Sequence, residues 1–219
     1  MILSPRNVSK ILVDAYANCG YLSRLLIRWR PYICPFHELI KYVSISRSML
    51  DVGCGVGLMT VLLAQLGKVK HAIGIDTSHR AIYTARAAVI PHDCDVRFQY
   101  LSKDAPWPDE EFDTIVCIDV LHHVPLEKQR GFVARLMQVG QRSRVIFKDV
   151  SPRPFWKALA NIAHDLLISQ QWIYIQDEEE VKEWFQDAGF SIIVHRRLDM
   201  LWYSHYLLVA EKKRSGRNI

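Results

Sequence analysis

Met49-Leu50-Asp51-Val52-Gly53-Cys54-Gly55-Val56-Gly57-Leu58 carries the strongest structural signal in the chain. Apolar residues run into an acid, and glycines then fall at every second position. Val56, Leu58, Met59, Val61, Leu62 and Leu63 follow at once with helical spacing, and Gly67 supplies a C-terminal stop. A strand, a glycine turn and a helix in this order let a ligand approach the backbone closely, because glycine has no Cβ and tolerates unusual dihedrals. A tight turn alone would also account for three glycines. A dinucleotide-binding turn carries its third glycine at the sixth position of G-x-G-x-x-G, where helix and strand pack around a pyrophosphate. Here that position is Leu58, and Asp51 at the strand end would repel a pyrophosphate but attract an ammonium. The stretch therefore predicts a cationic nucleoside ligand and argues against a nicotinamide oxidoreductase.

His71-Ala72-Ile73-Gly74-Ile75-Asp76 is the next strand, short, apolar and again ending in an acid. A carboxylate at that place accepts hydrogen bonds from both ribose hydroxyls. The competing role is helix capping, since Asp76, Thr77 and Ser78 precede the helical pattern Ala81, Ile82, Thr84, Ala85, Ala88. Thr77 or Ser78 can serve as the cap and leave Asp76 for the ribose.

Phe112-Asp113-Thr114-Ile115-Val116-Cys117-Ile118-Asp119 reads as a buried parallel strand, and Val120-Leu121-His122-His123-Val124-Pro125 gathers polar groups at its carboxyl end, where open α/β sheets bind ligands. With these three motifs in order, the chain resembles the class I S-adenosylmethionine-dependent methyltransferases, closely over residues 45 to 150 and in architecture over the remainder. The resemblance implies S-adenosyl-L-methionine as cofactor. It places Asp51 and the turn residues Gly53, Cys54, Gly55 and Gly57 near the methionine part, Asp76 on the ribose, and Asp119 on the sulfonium side. Ile75 and Thr77 would flank the adenine. The acid that such enzymes often carry after the third strand falls on Leu101, followed by Ser102-Lys103-Asp104. The adenine is then expected to use the backbone of Leu101 or Ser102.

The 219 residues suit one domain with a substantial core. Half are hydrophobic, yet there is neither a membrane-spanning apolar run nor a signal-peptide core. Cys19, Cys34, Cys54, Cys94 and Cys117 are scattered without a C-x-x-C pair, which indicates neither a disulfide framework nor a zinc site and suits the cytoplasm. The net charge of +5 sits at the two ends. Residues 1–48 hold Arg6, Lys10, Arg24, Arg28, Arg30, Lys41 and Arg47 against Asp14 and Glu38, and the tail from Glu211 is also basic. An acidic carrier protein or a membrane surface fits such patches, and so does plain solubility. Against nucleic acid stand the lack of an RNA-binding module and of an N-P-P-Y type motif after the fourth strand.

The pattern along the chain predicts an α/β protein: a doubly wound, Rossmann-like sheet of seven strands with an N-terminal helical cap. Helices are expected at Val8–Ala17, Tyr21–Trp29 and Pro35–Val43, so that residues 1–45 form the cap and 46–219 the cofactor-binding domain. Strands follow at 48–53, 70–76, Val96–Leu101, Thr114–Asp119 and Arg144–Asp149. Phe190–Arg197 and Tyr203–Glu211 close the sheet, the last antiparallel by the family resemblance. Further helices are expected at Leu126–Gln141 and Glu178–Ala188. An inserted amphipathic helix over 155–169 would carry Lys157, Asn161 and His164 on one face.

For chemistry at the methyl acceptor the candidates are His123, as proton acceptor, and Asp149, as the group that orients an acceptor hydroxyl or amine. Each has a plainer alternative, packing for the histidine and helix capping for the acid. Trp172, Tyr174, Trp202, Tyr203 and Tyr206 permit an aromatic or apolar acceptor site, although such residues are more often core or interface. The lead-in Arg28-Trp29-Arg30-Pro31-Tyr32-Ile33-Cys34-Pro35-Phe36 looks like that of methyltransferases from bacterial aryl-polyene and other fatty-acid-like pathways. The expected function is methyl transfer to a small or medium apolar, aromatic or acyl acceptor, free or carrier-bound. The alternatives are an RNA or protein methyltransferase and a non-catalytic cofactor-binding partner.

Overall fold

The computed structural model describes residues 3–140, 143–154, 173–201 and 203–212. The expected helix over 155–169, with Lys157, Asn161 and His164, and the aromatics Trp172 and Trp202 lie outside the described residues. The chain divides into two units, Met1–Ile118 and Asp119–Ile219.

Four parallel strands build the first unit: β1 (Ser46–Val52), β2 (Val69–Asp76), β3 (Asp95–Tyr100) and β4 (Thr114–Ile118), in the order β3-β2-β1-β4. β1, β2 and β4 are largely buried and read as mainly apolar runs instead of alternating, whereas the edge strand β3 is mostly exposed. Met49, Leu50, Val52, Ala72, Ile73, Ile75, Ile115, Val116 and Cys117 are all buried. Because β1 lies between β2 and β4, the winding reverses at β1, and its carboxyl end opens a crevice. That is where the glycine turn sits.

The helix after the turn, α4 (Leu58–Gln65), is buried from Leu58 to Ala64. A helix without a polar face needs cover on both sides. One cover is β2, and the other is α1 (Pro5–Ala15), whose Val8, Leu12 and Ala15 are buried. Ser4 caps α1 by accepting from Asn7 N–H, and Pro5 occupies a first-turn position where no N–H is needed. α2 (Tyr21–Trp29) follows and packs on α1. The single helix expected over Pro35–Val43 is instead α3 (Phe36–Leu39) and a 3-10 turn, Ile40–Tyr42. The Val43 N–H bonds three residues back to Ile40, and the β-branched and aromatic residues there give little helical propensity to resist the tightening. After β2 comes α5 (His79–Arg86), capped by Ser78, which accepts from Ala81 N–H.

The second unit holds α6 (Leu126–Val139), β5 (Arg144–Val150), α7 (Glu178–Asp187), β6 (Phe190–Met200) and β7 (Tyr203–Lys212). β7 lies between β5 and β6 and is antiparallel to both, the arrangement the family resemblance implied. β6 outlasts the expected end at Arg197 and pairs as far as Met200 with Tyr203. A register shift between Ile192 and Val194 interrupts its alternation, which hides the strand's length from a pattern reading. α7 opens on Asp177 as cap and three glutamates, a charge order that suits the positive end of a helix.

Candidate functional site

The turn after β1 is made by three glycines in the left-handed region, Gly53 (φ 70°), Gly55 (φ 56°) and Gly57 (φ 80°). The N–H groups of Gly53 and Cys54 both donate to Ile75 C=O at 2.9 and 3.0 Å, which binds the turn to β2. Two glycines answer to one ring. A Cβ on Gly57 would stand 2.6 Å from Phe98 Cζ, and one on Gly74 would stand 2.7 Å from Phe98 Cδ1. Phe98 in β3 therefore fills the space behind the turn, a role no sequence signal singled out. Gly55 differs, because a Cβ there meets nothing within 4 Å. Its backbone faces open space, the cradle a close-lying ligand needs.

Asp76 ends β2 with its carboxylate turned to the turn. One oxygen accepts from Gly55 N–H at 2.8 Å and the other from Ser78 N–H at 2.7 Å. It is not the cap of α5, since Ser78 performs that role. Asp51 is buried and accepts from the Thr60 hydroxyl at 2.6 Å. Burial pushes its pKa up to about 6; the Thr60 hydrogen bond opposes the rise and the charge of Asp76 adds to it. Burial also raises the Cys54 thiol well above its ordinary value, so this cysteine stays a neutral thiol and contributes through its backbone.

Thr77 is exposed between β2 and α5, whereas Ile75 points into the core. Leu101 N–H is spent on Asp76 C=O at 3.0 Å, so it continues the strand pairing and cannot also serve an adenine. His79 and Tyr100, unnoticed in the sequence, stack at 3.4 Å between centroids on this same edge. Register could have found them, since Tyr100 pairs with Asp76. From the C-terminal cap of α1, the Tyr16 hydroxyl reaches the turn and donates to Val56 C=O at 2.5 Å.

In the second unit the polar groups interlock. Asp119, the residue directly after β4, adopts φ 57°. Its N–H donates to Lys148 C=O at 2.9 Å, and the fully buried Lys148 ammonium pairs with its Oδ1. Main chain and side chain of one residue thus hold this left-handed aspartate, which places a cation on the carboxylate expected at the sulfonium side. Asp149 is 2% exposed, and its oxygens accept from Leu121 N–H (2.7 Å), His122 Nδ1 (2.5 Å) and Val150 N–H (2.7 Å). Burial pushes its pKa up, but the adjacent His122 more than offsets this, and the carboxyl is held below its ordinary value. It is ionised at neutral pH, so the His122 proton sits on Nδ1 and donates.

This geometry corrects the expectation that Asp149 faces an acceptor or caps a following helix: its oxygens are filled by the 3-10 turn Leu121–His123. The far side of that turn is braced by Gln129, whose Nε2 donates to Leu121, Val124 and Tyr174 C=O at 3.1, 3.0 and 2.8 Å. Tyr174 N–H in turn donates to His122 C=O at 2.7 Å. His123 rides on the turn thus fixed, half-buried, with its ring 4.1 Å from that of His122. The histidine joined to a carboxylate is His122, whereas the expected proton acceptor is His123.

The chain belongs to the methyltransferase-domain family, whose model matches residues 21–195. It is similar to the chloroplastic 2-methyl-6-phytyl-1,4-hydroquinone methyltransferase of Arabidopsis thaliana, 27% identical over 71% of this chain and 43% of that protein. It is also similar to the ubiquinone biosynthesis O-methyltransferase of Alkalilimnicola ehrlichii, 27% identical over 67% of this chain and 62% of that protein. The chain thus spans about two fifths to three fifths of the length of these relatives. Among solved structures, magnesium protoporphyrin IX methyltransferase from Synechocystis with bound SAH superposes with a TM-score of 0.62, at 20% identity, over 95% of this chain and 86% of that one. The fold is accordingly the Rossmann-like methyltransferase fold with helices at its N-terminus. S-adenosylmethionine is the cofactor of that family. The residues present suit it: an open glycine backbone for close approach, and carboxylates at two adjacent strand ends for an ammonium and a ribose diol.

Proposed function

We propose that the chain transfers the methyl group of S-adenosyl-L-methionine to a small, apolar acceptor. The observation that carries the reading is the turn at Gly55, open to a ligand and flanked by Asp51 and Asp76 at the carboxyl ends of β1 and β2. The apolar acceptor is supported by the relatives, which the names above attach to a phytylated hydroquinone and to ubiquinone biosynthesis. When bound, the cofactor supplies a sulfonium-activated methyl group, so the protein's part is alignment more than activation.

On this reading Asp51 receives the ammonium, the Gly53–Gly57 backbone lies along the methionine part, and Asp76 takes the ribose hydroxyls. Thr77 and the stacked His79–Tyr100 pair border the adenine. Asp119, its charge met by Lys148, sits on the sulfonium side without adding net negative charge. His123 accepts a proton from a hydroxyl acceptor, and Asp149 is a positioning residue that holds the turn carrying it.

Calorimetry with S-adenosylmethionine, its demethylated product and NADH tests the cofactor, and transfer of labelled methyl to quinols, phenols and acyl chains tests the acceptor. Both nucleosides should bind and NADH should not. Asp76→Ala should weaken cofactor binding by about 1.5–3 kcal/mol, the loss of hydrogen bonds to a charged group. Asp76→Asn should lose less, because an acceptor oxygen remains for Gly55 N–H. NADH binding in place of either nucleoside would overturn the reading.

The pKa of Asp51 gives a pH dependence with a definite sign. The carboxyl is raised from 3.8 to about 6 in the folded chain, so between those values the fold keeps a proton that the unfolded chain gives up. The stability contributed by that proton is lost as pH rises through the window. An ammonium beside Asp51 requires the ionised form, so cofactor affinity should run the other way, about tenfold weaker at pH 5 than at pH 7. Asp51→Asn should flatten that profile. Equal slopes for the two proteins would remove Asp51 from the ammonium site.

A further inference from the structure

α2 presents an apolar face that the fold does not use. Its inward side is Ile27, buried between Ser23 and the flanking arginines, while Tyr21, Leu22, Leu26 and Trp29 are 79, 74, 66 and 58% exposed and Leu25 is exposed beside them. At helical spacing these five fall on one arc of about 140°, opposite Ile27. Arg24 and Arg28, both exposed, border the arc on the Tyr21 side. Exposed Arg6 and Lys10, one turn apart on α1, add charge on the neighbouring helix. Between Asp14 and Glu38 the sequence has no acidic residue.

We propose that α2 is a surface-docking helix that lies on a bilayer of anionic phospholipid, with Tyr21, Leu22, Leu25, Leu26 and Trp29 in the headgroup–acyl boundary and Arg24 and Arg28 on lipid phosphates. The composition fits that boundary. Tyrosine and tryptophan partition to the level of the headgroups, here at the two ends of the helix, and leucines enter the acyl region between them. Basic residues beside such a face add attraction to anionic lipid. No helix among the described residues is long and apolar enough to cross a membrane.

The charge also separates this occupant from others. A second copy seated on the same face would bring two arginine-flanked, acid-free surfaces together, and like charges would meet. An acidic carrier protein would satisfy the arginines but leave the apolar arc in water. An anionic bilayer satisfies both. The inference stands on α2 and goes beyond the proposed reaction, to which it adds a place where an apolar acceptor dissolves.

The test is sedimentation of the full chain with phosphatidylcholine vesicles, and with vesicles in which roughly one third is phosphatidylglycerol, at low and at physiological salt. No cofactor or acceptor is added, so failure here leaves the methyltransferase reading to its own assays. The chain should sediment with anionic vesicles at least tenfold more strongly than with neutral ones, and less so as salt rises. Leu22→Ser/Leu26→Ser and Arg24→Gln/Arg28→Gln should each weaken that partition roughly tenfold, with the circular dichroism spectrum and cofactor affinity unchanged. The proposal is overturned if the parent chain stays in the supernatant, or if both variants sediment as it does. It is overturned equally if the serine variant turns a dimer into a monomer while no form binds vesicles, since the face would then belong to a second copy.

Discussion

Asp149→Ala is expected to cost the fold about 3–5 kcal/mol, the usual penalty for stripping one partner from a buried charged pair. The carboxylate serves three donors at once, Leu121 N–H, His122 Nδ1 and Val150 N–H. Its removal leaves a histidine and backbone N–H groups buried against a hole. Its pKa direction adds a second signature. Because the folded carboxyl titrates below its ordinary value, its contribution is complete above the unfolded pKa near 4 and is lost as pH falls through the lower folded one. Urea denaturation at pH 7 and at successively lower pH should therefore separate the two proteins most at pH 7 and bring them closer as the folded carboxyl takes up its proton. A difference below about 1 kcal/mol at pH 7 would mean that Asp149 is not the anchor of the Leu121–His123 turn. Methyl transfer should fall with it, and cofactor affinity should change little.

Gly57→Ala is the other large effect expected, about 2–5 kcal/mol from two additive causes. The residue sits at φ 80°, where an L side chain costs roughly 1–2 kcal/mol. The new methyl would also meet the Phe98 ring at 2.6 Å. The same side of that ring also lies against Gly74, so the clash adds an overpacking penalty of about 1–3 kcal/mol. The measurement is a double-mutant cycle with Phe98→Leu. The smaller side chain should return the packing part and leave the dihedral part. No coupling between the two positions would show that Phe98 is not what makes glycine necessary at 57.

The residues explain which parts of this arrangement can be read from the chain. Strands β1, β2 and β4 are legible because parallel strands covered on both faces demand apolar runs: 72–75 and 115–118 supply them, and 49–52 is broken only by Asp51. The turn and Asp76 are legible because left-handed backbone and a strand-end acid are local demands. The choice between His122 and His123 is not local. Adjacent residues on a 3-10 turn point in different directions, and which one meets a carboxylate depends on Asp149, 27 positions later. Lys148 is hidden for a similar reason: a lysine within an apolar strand announces nothing until Asp119 arrives to neutralise it. Phe98 reads as one more strand aromatic, and only three-dimensional proximity makes it the cause of two glycines. The short helices of residues 36–42 fail as a pattern because propensity, not amphipathicity, decides where a marginal helix tightens.

The hydroxyl of Tyr16 has a reach that exceeds its size. It ties the C-terminal cap of α1 to Val56 C=O in the glycine turn, while Ser9, within α1, donates to Arg28 C=O at the end of α2 at 2.8 Å. One helix is therefore fastened at both ends of a line that runs from an outward-facing surface to the backbone meant for a nucleoside. Linkage is reciprocal: if occupancy at one end changes the ordering of α1 by some factor in affinity, occupancy at the other end is changed by the same factor. If lipid on the surface proposed for α2 changes the ordering of α1, lipid composition becomes a variable in nucleoside affinity, and nucleoside concentration a variable in residence at that surface.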